Sequence, residues 1–137
     1  MLAIRRYANT QNETASKERL MVLLFEAALR HMRRAASALE SGRASEAAPG
    51  LARAGDIVAE LLATLDHSKA PQLCRQLSDL YIFVADRLIA AGGSRNPVAV
   101  REAERVFAPI AEAFASAVAS LGGGAAAAPP GSTAPSR

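Results

Sequence analysis

Residues 14–39 read TASKERLMVLLFEAALRHMRRAASAL, and their apolar positions recur at helical spacing on more than one face. At 3.6 residues per turn, Leu20, Leu24, Ala27 and Ala28 form one row, while Met21, Phe25, Met32, Ala35 and Leu39 form a second. Val22 and Leu29 close the gap between the rows. A surface helix needs a single stripe about 100° wide. This one is either buried at the centre of its own bundle or lines a groove for a partner, and the expectation adopted is that it does both. Ser16 is placed to cap the helix, with Glu18 in its first turn, and Ser41-Gly42 ends it.

A second helix carries Leu51, Val58, Leu61, Leu62 and Leu65 and ends near Asp66-His67-Ser68. It starts either at a Ser45 cap or at Pro49 as its first residue, where a missing N–H costs little. Pro71 opens a third helix with the row Leu73, Leu77, Leu80, Val84 and Leu88, flanked by Cys74, Tyr81 and Phe83, and Gly92-Gly93 stops it. Asn96-Pro97 reads as a cap and first turn for a fourth, with the stripe Ala103, Phe107, Ile110, Phe114, Ala117 and Leu121. Within it, Pro109 removes one backbone hydrogen bond and crowds the carbonyl of Arg105, which predicts a kink. Four long helices joined by short connections predict an all-α, antiparallel up-down four-helix bundle over residues 15–121. Residues 1–14 are expected as a short arm lying over it. The low-complexity tail, 122–137, is expected to be disordered.

Composition agrees with that class. Half of the 137 residues are apolar, enough for a core, while aromatics are 4% and tryptophan is absent, which favours close-packed helices over a sheet. The net charge of +3 is a mild basic excess, not a nucleic-acid footprint. Cys74 is the single cysteine, so no disulfide forms within the chain and a reducing compartment fits. No stretch has the length of a signal peptide's apolar core or of a membrane span, so the expectation is a cytoplasmic protein.

Candidate chemistry is sparse. Neither His31 nor His67 sits in a Glu-x-x-His pair of the kind that builds metal sites inside bundles, and Asp56 with Glu60 lacks a third ligand. No phosphate-binding glycine loop occurs. Cys74 lies on an apolar stripe, where a thiol is a poor nucleophile. Neither an enzyme nor a cofactor is expected. The basic set Arg30, Arg33 and Arg34, with Arg5 and Arg6, is interleaved with alanine, so base stacking has no aromatics to use.

The segments YANTQNETASKERLMVLLFEAALR, GDIVAELLATLD and LCRQLSDLYIFVADRLIAA resemble, in order and spacing, the flagellin export chaperone family, FliS. The likeness runs from Tyr7 to about Leu121. The family's tyrosine, its Thr-Ala-Ser-Pro segment and its Leu-Tyr-Asp-Gly-Ala-Leu stretch are met by Tyr7, Thr14-Ala15-Ser16-Lys17 and Leu24-Phe25-Glu26-Ala27-Ala28-Leu29. Asp56-Ile57-Val58, Thr64-Leu65-Asp66 and Gln76-Leu77-Ser78-Asp79-Leu80-Tyr81 follow the family's second and third helices, and Phe114 fills a tryptophan position. Lys17 stands for the family's proline, Phe25 lacks a tyrosine hydroxyl, Gln76 replaces asparagine, and Pro109 has no counterpart.

The resemblance implies a bundle that binds the C-terminal segment of flagellin, prevents its premature polymerisation, and delivers it to components of the flagellar type III export gate. Nucleic acid and membrane insertion play no part in that reading. The alternative is a self-assembling scaffold that spends the surplus apolar face on a homodimer. The residues in excess of one core stripe, expected to line the client grooves, are Leu20, Leu24, Phe25 and Leu29 with Ile57, Leu61, Leu77 and Tyr81. Tyr7 is expected, from the resemblance, to plug a groove until client displaces it.

Overall fold

The computed structural model describes the backbone of residues 2–122 and the side chains of residues 16–121. Its elements are four helices: α1 (Leu2–Glu40), α2 (Ala44–Ala63), α3 (Pro71–Ser94) and α4 (Pro97–Gly122), with no strand among the described residues. Two compact units divide the chain, Phe25–Ile110 and the paired segments Met1–Leu24 with Ala111–Arg137.

Helix α1 begins well ahead of Ser16. Residues 2–16 contain neither glycine nor proline, and a capping residue favours a start without preventing a helix from running through it. The arm expected over 1–14 is therefore continuous backbone helix from Leu2 onward. The tail expected to be disordered lies, beyond Gly122, outside the described residues. At the other end Gly42, with φ of 77°, makes the left-handed turn into α2.

Helix α2 opens at Ala44, one residue before Ser45, with Arg43 in the cap position and no side-chain cap bond. Pro49 lies inside it. Helix α3 starts at Pro71 as expected but passes through Gly92-Gly93 to Ser94. The left-handed position is taken by Arg95, at φ 55° and ψ 43°, whose N–H bonds to the Ala91 carbonyl. Helix α4 opens on the Asn96 cap, whose Oδ1 accepts from the N–H of Val98 at 2.9 Å. It continues past Pro109 to Gly122.

Within Phe25–Ile110, contacts fix an up-down bundle in which neighbours run antiparallel. Glu40 meets Arg101 and Arg33 meets Glu104, which reverses α1 against α4. Arg87 meets Glu102, which does the same for α3 and α4. Leu51 approaches Gly92 across α2 and α3, and Gly50 lies against His31 and Ala35 across α2 and α1. A Cβ at Gly50 would stand 3.4 Å from the His31 carbonyl oxygen and 3.8 Å from the Ala35 Cβ, so the two helices pass within van der Waals contact here. At the centre, the Phe107 ring lies 5.4 Å from Phe25 and 6.4 Å from Tyr81, both tilted, within the range for favourable aromatic pairs. Met32, Val58, Leu61, Val84 and Val100 fill the space around them.

Two core stripes differ from the expected ones. On α3 the buried row is Cys74, Tyr81, Val84, Leu88 and Ala91, so Leu73 and Leu80 fall outside it and are exposed. On α4 the buried residues are Ala99, Val100, Ala103, Phe107 and Ala111. Ile110 and Phe114 are half-buried, while Ala117 and Leu121 are exposed. In the unit formed by Met1–Leu24 and Ala111–Arg137, Leu20, Leu23 and Leu121 are exposed, and Met21, Val22, Leu24 and Val118 are half-buried.

Candidate functional site

On one flank of α2, Ala48, Ala52, Gly55 and Ala59 follow each other at helical spacing, and none carries a side chain larger than a methyl group. Opposite them α3 presents Ala85, Leu88, Ile89 and Gly92. Between the two helices runs an open groove of about 480 Å³, lined entirely by apolar side chains and glycine, Leu51 among them. A Cβ added at Gly55 would meet nothing within 4 Å. Ile89 on the α3 wall is 73% exposed, a large apolar side chain left without cover.

Helix α3 is apolar on both sides of its core row. Ile82 and Ile89, seven residues apart, flank it on one side, and Leu73, Leu80 and Phe83 on the other, all exposed. The exposed Asp79 and Asp86 separate the two sets around the helix. A second depression, of about 450 Å³, sits at the end of the bundle among Arg43, Ser45 and Arg95 and is far more polar.

Of the groove residues expected from sequence, Phe25, Leu29, Leu61 and Tyr81 are buried in the core. Burial also pushes the Tyr81 phenol above its ordinary range. Their apolar area is absorbed by neighbouring helices, so in this arrangement they offer no surface to a partner. Leu20 is exposed, and Leu24, Ile57 and Leu77 are half-buried. Tyr7 lies within α1, and its side chain is outside the described residues. None of these lines the α2–α3 groove. Sequence reasoning missed Leu23, Ile82 and Ile89. The same double-face test applied to α1 would have found the two isoleucines on α3.

Among the described residues no three of His, Cys, Asp and Glu gather as metal ligands, and no helix is long and apolar enough to cross a membrane. Cys74 is buried, its Sγ donating to the Asp66 carbonyl at 3.3 Å. The site therefore offers shape and apolar area.

A family model described as "Flagellar protein FliS" matches residues 1–121. The chain is also similar to the "Flagellar secretion chaperone FliS" of Salmonella typhimurium, at 32% identity over 116 residues, covering 81% of this chain and 86% of the relative.

Proposed function

This chain belongs to the FliS family of flagellar proteins, and on that premise we propose that it carries flagellin, holding the C-terminal helical segment of its client in apolar inter-helix grooves. Membership makes it a flagellar export chaperone and not an enzyme. In this reading it works in the cytoplasm, keeps the segment from polymerising, and hands it to the flagellar type III export apparatus.

The observation that carries the reading is the α2–α3 groove, with its floor of small residues and its uncovered Ile89 wall. A client helix seats a ridge of large side chains in such a trough, as helices do when ridges fill grooves. Each Å² of apolar surface removed from water contributes about 25 cal/mol. Ordering a segment that is disordered when free costs part of that gain, which keeps the complex releasable. Leu20, Leu24, Ile57 and Leu77, with open or half-open surface, are proposed as separate client-contacting positions outside that groove.

A second reading, self-association, draws on the exposed row Leu73, Leu80 and Phe83. Size-exclusion chromatography of the full chain with flagellin separates the two. Co-elution with full-length flagellin, but not with flagellin lacking its C-terminal helices, supports the carrier; equal retention of both rejects it. A dimer without client in either run supports the scaffold.

A further inference from the structure

The arginines of Phe25–Ile110 fall into two groups. Arg33 is held by Glu104 at 2.8 Å, Arg43 by Glu46, Arg87 by Glu102 at 3.1 Å, and Arg101 by Glu40 and Glu104 at 2.9 Å. Arg75, Arg95 and Arg105 are exposed and have no ion pair among the described residues, and so are three on neighbouring helices, Arg30 and Arg34 on α1 and Arg53 on α2.

The fold brings these three together. Arg30 and Arg34 are one turn apart on α1. Gly50 sits against the His31 carbonyl, so Arg53, three residues further along the same flank of α2, stands beside that turn. The half-buried His31 ring lies among them, and its pKa is lowered, first by burial and then by Arg30, Arg53 and Arg34. Two shallow depressions run along α1 beside this cluster and share Arg33 and Arg34. One, of about 390 Å³, also takes in Glu26, Leu29 and Arg30, and the other, of about 490 Å³, reaches Ser37, Ala38, Arg43 and Glu46. Arg53 belongs to the α1-facing flank of α2, whereas the apolar groove uses the α3-facing flank.

We infer that Arg30, Arg34 and Arg53 form a docking site for an acidic peptide segment of a partner protein, separate from the apolar groove. Guanidinium forks pair two-pronged with carboxylates. Arg53 lines neither depression, so an extended acidic segment meets cations of both helices by crossing from Arg30 and Arg34 on α1 to Arg53 on α2. The guanidinium geometry favours a carboxylate-bearing polypeptide, and lipid and nucleic acid are the competing outcomes of the test.

The test uses the full chain and a labelled glutamate-rich peptide, with its glutamine counterpart, phosphatidylglycerol vesicles and a single-stranded oligonucleotide as further arms. The glutamate peptide is expected to bind in low salt and to weaken about tenfold or more in high salt, as screened exposed charges do. The combined variant R30Q, R34Q and R53Q, all at exposed positions, is expected to lose binding about tenfold while keeping its melting temperature. A control with the same charge change, K69Q, R75Q and R105Q, keeps it. Flagellin co-elution is expected to survive the first variant, so failure here leaves the groove reading standing. The inference is overturned if the peptide fails to bind in low salt, if both variants weaken it equally, or if vesicles or oligonucleotide bind more tightly than the peptide.

Discussion

Arg101 and Glu40 face each other fork to fork, Nε to Oε2 and Nη2 to Oε1, each at 2.9 Å, while the remaining Nη1 of Arg101 donates to Glu104 at 2.9 Å. One side chain of α4 thus ties the end of α1 and its own next turn. The pairing raises the Arg101 pKa and lowers that of Glu40, through the Arg101 hydrogen bond. Burial alone would raise Glu104, but hydrogen bonds from Arg33 and Arg101 outweigh it and bring it down.

Arg101→Gln is expected to lower the melting temperature by no more than a few degrees, because exposed pairs are screened. Its effect should exceed that of Glu40→Gln, since it also removes one of the two arginine partners of Glu104. Both carboxyls are depressed in the folded state, so the unfolded chain binds more protons below their ordinary value of 4.5. Their stabilisation is present above that pH and is lost as pH falls through the folded pKa values. Melting curves from pH 6 to pH 3 should fall less steeply for Arg101→Gln than for the parent.

Phe107 contacts rings from α1 and α3 at once. Phe107→Ala is expected to cost about 3–5 kcal/mol, the range for large-to-small changes in a well-packed core. Urea unfolding measures it. A double-mutant cycle with Tyr81→Leu should return a coupling of about 0.5–1.5 kcal/mol if the ring pair matters beyond area.

Gly55 faces open groove. Gly55→Ala is expected to stabilise α2 by about 0.5–1 kcal/mol, since glycine is costly inside a helix. Gly55→Leu should fill the trough, keep the fold and abolish flagellin capture. Unchanged capture by a well-folded Gly55→Leu protein would remove the α2–α3 groove from the binding surface.

His31 is depressed below 6.5, first by burial and then by the neighbouring arginines. The unfolded chain therefore takes up its proton before the native one, and this group's destabilisation appears as pH falls through 6.5 and grows until the folded pKa is reached. Between pH 7.5 and pH 5.5, His31→Gln should flatten the fall in unfolding free energy. An equally steep fall in the variant would show that other groups cause it.

Arg95 holds a left-handed conformation that glycine adopts at little cost. Arg95→Gly is expected to raise stability by up to about 1 kcal/mol, read from the urea midpoint, because it removes that strain from the turn between α3 and α4.

The helices were legible because their caps and periodicities are local. Pro71 and Asn96-Pro97 open α3 and α4 where expected, and the Gly42 turn closes α1. Their misread ends have local causes too. Glycine marks a helix stop only when it takes the left-handed position, and here Arg95 takes it two residues after Gly93. On α3, the apolar residues cover so much of the circumference that the rows through Leu73 and through Cys74 are equally regular. Only the positions of α2 and α4 decide which row is buried.

The site was harder to read. Surplus apolar character on α1 at Phe25 and Leu29 is absorbed by the bundle, while the open surface emerges on α3. The groove floor was invisible to hydrophobic patterning because Ala48, Ala52, Gly55 and Ala59 act through what they lack. A trough exists where volume is missing, and missing volume shows only once the opposing helix is in place.

A channel floored by methyl groups and bare backbone has no polarity to match and no directional bond to satisfy. It gauges the girth and curvature of whatever lies in it and is indifferent to the spelling, so rods of diverging composition can be accommodated in turn provided their outline stays the same.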